Sequence, residues 1–213
     1  NVIAVELDKR MVNILQDRFI ININGQAESK LEIINEDVLK INLNEIIVEK
    51  RKQTEIKNVK IVANLPYYIS TPIIMKLLEN RLDIDEIIVM VQKEVAERLT
   101  AKTGTRLAGA ITYAVEYYSD ATGIIKVSKE SFVPSPKVES EVIKLKVRKD
   151  KKIQVKDEKL LFNIISKSFM QRRKTLSNAL LNNNIMHSKE DVKNMWIELG
   201  IDENVRGESL TLE

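Results

Sequence analysis

The chain's 213 residues are enough for one large domain, or for one domain with a small companion, and 44% hydrophobic with 31% charged residues describe a soluble globular protein. No apolar run approaches the ~18 residues of a membrane-crossing helix. There is no cysteine for a disulfide or thiolate site, and the single histidine, His187, lies in a polar stretch that reads as surface. Zinc sites built on several histidines are thereby excluded, and a Ser-His triad has only His187 to draw on. The expectation is a metal-free, cytoplasmic monomer.

Val2–Val5 reads as an apolar strand with Glu6 at its end, and Leu7-Asp8 leads into a helix from Lys9 to about Phe19. A carboxylate at such a strand end can accept both hydroxyl hydrogens of a ribose, as in nucleotide-binding α/β folds, or it can be a capping or surface acid. Leu31–Asn35 predicts a further strand, followed by Glu36-Asp37-Val38-Leu39. Asp37 there can accept from an adenine amino group with Val38 on the ring, or simply mark a turn. Residues 42–52 read as helix and 51–58 as a polar loop.

Val59–Tyr68 runs from a buried strand into a polar, proline-bent, aromatic turn. Ile61, Val62 and Ala63 are consecutive and apolar, as in a parallel strand covered on both faces. Pro66 fixes φ and lacks a donor, and Leu65 before it is pushed away from helix. Asn-x-Pro is also ordinary turn chemistry, and Tyr67 and Tyr68 can be half-buried aromatics.

Ser70-Thr71-Pro72 predicts a Ser- or Thr-capped helix start, the helix running to about Asn80. Then follow a strand over 84–91, a helix opened by Gln92-Lys93-Glu94 and ending near Thr100, a helix over 107–118, and strands over 121–127 and 141–147. Ser131–Val138 carries two prolines and reads as a stiff extended loop. Its Phe132 either plugs the core edge or forms one slice of an aromatic sandwich around a flipped base. Charged residues 148–156 mark a domain boundary that divides 1–150 from 151–213, and helices follow over 157–170, 175–182 and 189–199, with Gly200 as a C-cap.

Charge is unevenly placed. Lys159–Lys189 holds six basic residues and no acidic one, and Lys126–Lys152 holds nine basic against four acidic. Both can be solvated faces. Beside a base-handling turn they favour a nucleic acid partner.

The ordered set Val2-Ile3-Ala4-Val5-Glu6-Leu7-Asp8, Asn35-Glu36-Asp37-Val38-Leu39, Asn64-Leu65-Pro66-Tyr67, Thr103-Gly104-Thr105-Arg106-Leu107, Phe132–Val138 and Gln171-Arg172-Arg173-Lys174-Thr175-Leu176 resembles the rRNA adenine-N6,N6-dimethyltransferase family over nearly the whole chain. Arg-Arg-Lys-Thr-Leu is more similar to the bacterial small-subunit (kasugamycin-sensitivity) branch than to the erythromycin-resistance methylases. The resemblance implies a Rossmann-like class I methyltransferase sheet followed by a small all-α C-terminal domain. It implies that Glu6 binds the ribose of S-adenosylmethionine, that Asp37 and Val38 hold its adenine, and that Leu7 and Asn64 also belong to the cofactor site. Asn64, Leu65 and Pro66 would embrace the target amino group, Tyr67 and Phe132 would stack on the target base, and Lys137, Arg172, Arg173 and Lys174 would meet rRNA phosphates. The substrate would be two adjacent adenosines near the 3′ end of 16S rRNA in the small ribosomal subunit.

The resemblance fails at its start. The family opens with a Gly-Gln-x-Phe-like segment, a first strand and a Glu-x-Gly-x-Gly loop, whereas this chain opens at the second strand; Gly25, Gly104, Gly109 and Gly123 stand alone. The expectation is a piece of a dimethyltransferase that binds cofactor weakly and whose sheet has an exposed edge where that strand belonged. The alternatives are a non-catalytic rRNA-binding assembly module, a 23S rRNA methylase of the resistance type, and, least favoured by Asn64, a DNA adenine methyltransferase.

Overall fold

The computed structural model describes residues 1–19, 21–23, 26–28, 31–53, 55–150 and 152–213; Gly25, Thr54 of the 51–58 loop and Lys151 of the 148–156 boundary lie outside them. Contacts divide the chain into two compact units, Asn1–Glu55 and Ile56–Glu213.

In the first unit, β1 (Val2–Glu6) pairs in parallel with β4 (Leu31–Asn35), so that Glu6 stands opposite Asn35. α1 (Lys9–Phe19) connects towards a short antiparallel pair, β2 (Ile21–Ile23) and β3 (Gln26–Glu28), which the hydrophobic pattern does not announce. α1 turns one buried residue, Val12, inward, and α2 (Leu43–Gln53) closes the unit.

The second unit is built on a four-stranded sheet in the order β5-β6-β8-β7, formed by β5 (Lys60–Asn64), β6 (Glu86–Gln92), β7 (Ser119–Val127) and β8 (Ser140–Val147). β5 and β6 are parallel, and β8 runs antiparallel between β6 and β7. Alternation along β6 and β8 sends Ile87, Val89, Val91, Ile143 and Leu145 into the core at complete burial. α4 (Lys93–Thr100) packs on β6, β7 and β8, α5 (Ala110–Tyr118) packs on β7, and α3 (Ser70–Glu79) packs on α5. α6 (Glu158–Met170), α7 (Leu176–Asn182) and α8 (Lys189–Leu199) follow, each opened by a side-chain cap from Asp157, Thr175 or Ser188. Gly200 ends α8 in the left-handed region at φ 66°, where its missing Cβ removes the steric penalty.

Two apolar clusters hold this helical part. Ile165 of α6 joins Ala108, Tyr113, Tyr117 and Leu212, with Ile153 and Val155 packed against them. Leu176, Ala179, Leu180, Val192 and Trp196 form the other cluster. The first is rich in aromatic geometry: Tyr117 lies edge-on to Tyr118 and Phe162 at 4.9 and 5.4 Å, and Tyr118 stacks on Phe162 at 5.5 Å.

Several sequence expectations are corrected. Val62 is 74% exposed, so β5 is not covered on both faces; among the described residues β5 has one neighbour, β6, and β1 has one, β4. Ser70 is not a cap: Ile69 holds the N-cap position, and the Ser70 hydroxyl donates to the Tyr67 carbonyl at 3.2 Å. α5 starts at Ala110, because Gly109 is extended and its N–H donates to the Thr112 hydroxyl at 2.8 Å. β6 starts at Glu86, two residues later than the apolar run suggests, since the Ile84 N–H is turned back to the Leu82 carbonyl.

Candidate active site

β5 ends where its side chains change from apolar to amide. Asn64 is exposed at the carboxyl end of the strand, and Leu65 turns inward at 6% exposure while its N–H donates to the Met90 carbonyl of β6 at 3.3 Å. Pro66 then bends the chain at φ −58°, ψ 132° into a short 3-10 turn, Tyr67–Ile69. The Ile69 N–H donates to the Pro66 carbonyl at 3.2 Å, so that carbonyl is already engaged. Neither the Asn64 side chain nor the Leu65 carbonyl hydrogen-bonds another described residue. Among the described residues the turn therefore presents the Asn64 amide oxygen and the Leu65 carbonyl without a hydrogen-bond partner, while the Pro66 carbonyl already accepts one bond.

The two tyrosines of the turn differ. Tyr68 is 84% exposed, while Tyr67 is half-buried, with its phenol 2.7 Å from the Ser140 hydroxyl. Phe132, half-buried, follows the short turn Lys129–Ser131; its N–H donates to the Lys129 carbonyl, and the Ser135 hydroxyl donates to the same oxygen at 2.9 Å. The loop returns to the sheet through Glu139, whose carbonyl accepts from the Lys93 N–H at 3.0 Å and whose carboxylate pairs with the Lys93 ammonium at 2.8 Å. That pairing lowers the Glu139 carboxyl and raises the Lys93 amine from their ordinary values. Lys137 is exposed on the same loop.

In the first unit, Glu6 and Asp37 stand at the carboxyl end of the same parallel strand pair. One Glu6 carboxylate oxygen accepts from the Asp8 N–H at 2.8 Å, and the other bonds no side chain or backbone group among the described residues. Asp8 is itself fixed by Arg10, whose guanidinium and N–H hold its carboxyl down at about 2. Leu7 is 65% exposed. Asp37 accepts from the Leu39 N–H at 2.9 Å through one oxygen, and Val38 is half-buried beside it. A carboxylate pair with an apolar neighbour fits the hydroxyls, amino group and ring of an adenosine. Asn35 was not anticipated: its amide donates to the Glu6 and Leu7 carbonyls at 2.8 and 3.1 Å and sets the bend that carries Glu6. Only the strand register, which puts Asn35 opposite Glu6, could have revealed it.

The basic triplet after α6 divides. The Arg172 guanidinium bonds the Glu208 carboxylate and the Arg106 carbonyl and lies 6.0 Å over the Phe169 ring. Arg173 and Lys174 are exposed. Among the described residues there is no group of three or more metal-ligating side chains and no helix long and apolar enough to cross a membrane.

The family described as ribosomal RNA adenine dimethylase matches residues 1–212. The ribosomal RNA small subunit methyltransferase A of Lachnoclostridium phytofermentans is 46% identical over 213 residues, and that of Alkaliphilus oremlandii is 43% identical; each alignment covers all of this chain and 71% of the relative. Among solved structures, a dimethyladenosine transferase from Plasmodium falciparum superposes with TM-score 0.73 at 24% identity, covering the whole chain and 78% of that protein. The 23S rRNA methyltransferase ErmE superposes with TM-score 0.63 at 18% identity over the same shares. These likenesses show the fold, a Rossmann-like methyltransferase sheet followed by a helical part. With the family matched from end to end, the chain belongs to the ribosomal RNA adenine dimethylases, a family of methyltransferase enzymes.

Proposed function

We propose that this chain serves the S-adenosylmethionine-dependent dimethylation of N6 on two adjacent adenosines near the 3′ end of 16S rRNA, acting on the small ribosomal subunit as a cytoplasmic monomer. The observation that carries this reading is the turn after β5, which offers the Asn64 amide oxygen and the Leu65 carbonyl while the Pro66 carbonyl is engaged by Ile69. An adenine N6 is a poor nucleophile because its lone pair is delocalised into the ring. Two acceptors on its two hydrogens favour a tetrahedral nitrogen with a directed lone pair, which is positioning combined with electrostatic preorganisation. Tyr67 and Phe132 stack on the extruded base.

S-adenosylmethionine, when bound, supplies the electrophilic methyl group. Glu6, on the Leu7 bend, holds its ribose, and Asp37 with Val38 holds its adenine. Residues 151–213 form the rRNA-binding domain, with Arg173 and Lys174 on phosphates, Lys137 adding a contact from the loop, and Arg172 fixing the turn that presents them. The small-subunit substrate, rather than 23S rRNA, is supported by relatives at 41–46% identity that are named for the small subunit.

The test is methyl transfer from labelled S-adenosylmethionine to unmethylated small subunits by the protein carrying this chain. Asn64→Ala should lower kcat by about a hundredfold or more while leaving cofactor affinity nearly unchanged. Equal turnover in the variant would refute the assignment.

A further inference from the structure

Ser140 is nearly inaccessible, at 1% exposure, yet it carries a hydroxyl, and that hydroxyl lies 2.7 Å from the Tyr67 phenol, 73 residues away in the chain. A buried hydroxyl needs a partner, and here the partner is a half-buried ring on the turn that offers Asn64 and Leu65. Ser140 is also fixed as backbone. It stands opposite Gln92 in the β6–β8 ladder and opposite Val127 in the β7–β8 ladder. The Val127–Ser140 pair closes the hairpin whose loop carries Phe132, and the next residue back, Glu139, is tied to Lys93 by its carbonyl and by its side chain. The Tyr67 backbone is held separately, since its carbonyl accepts from the Ser70 hydroxyl. What remains free in Tyr67 is the rotation of its side chain, and the bond to Ser140 removes it. Tyr68, one residue on and 84% exposed, shows the alternative.

We propose that Ser140 is a positioning residue for the methyl-transfer reaction: it fixes the Tyr67 ring relative to the hairpin that carries Phe132, so that one buried hydroxyl sets the gap between the two rings that take the target base. This rests on the reading of Tyr67 and Phe132 as base-stacking residues. Ser140 touches neither base nor cofactor and acts through Tyr67.

The test is a double-mutant cycle in the protein carrying this chain, with Ser140→Ala, Tyr67→Phe and the double variant assayed for methyl transfer to unmethylated small subunits. Tyr67→Phe keeps the ring and deletes only the phenol, so it preserves stacking surface and reports the bond even where Ser140→Ala unfolds. Each single variant should lower kcat about fivefold to tenfold, at unchanged KM for S-adenosylmethionine, and the double variant should be no slower than either. Multiplicative losses, or full kcat in Tyr67→Phe, would overturn the proposal. A loss accompanied by an equal rise in the cofactor KM would overturn it too, as a structural effect spread over the enzyme. Tyr67→Ala separates the two levels. If it abolishes turnover while Tyr67→Phe and Ser140→Ala are normal, stacking stands and the Ser140 inference falls; if Tyr67→Ala is itself normal, the stacking reading falls first.

Discussion

Arg172, Arg173 and Lys174 are indistinguishable as sequence and distinct as structure, and replacing them one at a time should separate them. Arg172→Ala removes two charge-assisted bonds, one to the Glu208 carboxylate and one to the Arg106 carbonyl. A bond to a charged group contributes ~1.5–3 kcal/mol when desolvated. The Arg172 side chain is 40% exposed and that of Glu208 20%, so screening brings the ion pair down to ~1 kcal/mol or less. The carbonyl bond adds ~1 kcal/mol, and the ring contact, at the 6.0 Å limit, adds little. The sum is a loss of about 1–2 kcal/mol, which for a chain of this size moves the unfolding midpoint down by about 2–8 °C. Arg173→Ala and Lys174→Ala should leave the midpoint unchanged. Instead, each should flatten the dependence of log affinity for rRNA on log salt by about 0.7–0.9, the increment for one phosphate. Thermal unfolding and a salt series on the three single variants decide the matter. If Arg172→Ala unfolds with the wild type and flattens the salt slope by one phosphate, its guanidinium belongs to the RNA and the structural reasoning is wrong.

Two further outcomes follow from side chains already described. Tyr113, Tyr117 and Tyr118 are all held above the ordinary phenol value of 10.0 by burial, Tyr118 up to about 12, and the nearby Glu158 carboxylate pushes Tyr117 and Tyr118 further. The folded chain keeps phenolic protons that the unfolded chain releases above pH 10, so the stability linked to these groups should be fully present and independent of pH below 10 and be lost as pH rises from 10 to 12 and beyond. Ultraviolet titration of tyrosinate alongside urea unfolding checks this, and flat stability across the window would contradict it. Asn35→Ala deletes two bonds to the bend carrying Glu6, worth ~1 kcal/mol together at an exposed site. Equilibrium binding should show S-adenosylmethionine affinity reduced about fivefold with the Asn64-dependent chemistry intact; unchanged affinity would remove Asn35 from the site.

What the sequence made legible was local. Periodicity located α1, α6 and α8 closely, and Gly200 announced the end of α8 because capping is decided within a few residues. The Asn64–Tyr67 turn was legible for the same reason: strand, amide, proline and ring are consecutive. Val62 was misjudged because an apolar run does not say which faces have neighbours; exposure is a property of the sheet, not of the strand. Ser70 and Leu107 were misplaced because a hydroxyl and a glycine nearby redirected the first turn. The positioning partners were invisible for a deeper reason. Asn35 reaches Glu6 across 29 residues, Glu208 reaches Arg172 across 36, and Ser140 reaches Tyr67 across 73. Nothing in the composition around Ser140 marks it, since a serine after a proline-rich loop is ordinary turn chemistry. Its meaning comes from register: shifting β8 by one residue would put Glu139 or Glu141 in the position opposite Gln92 and leave Tyr67 without its partner. The motif therefore names the groups that could perform the chemistry, while the strand pairing decides whether those groups are held in place to perform it.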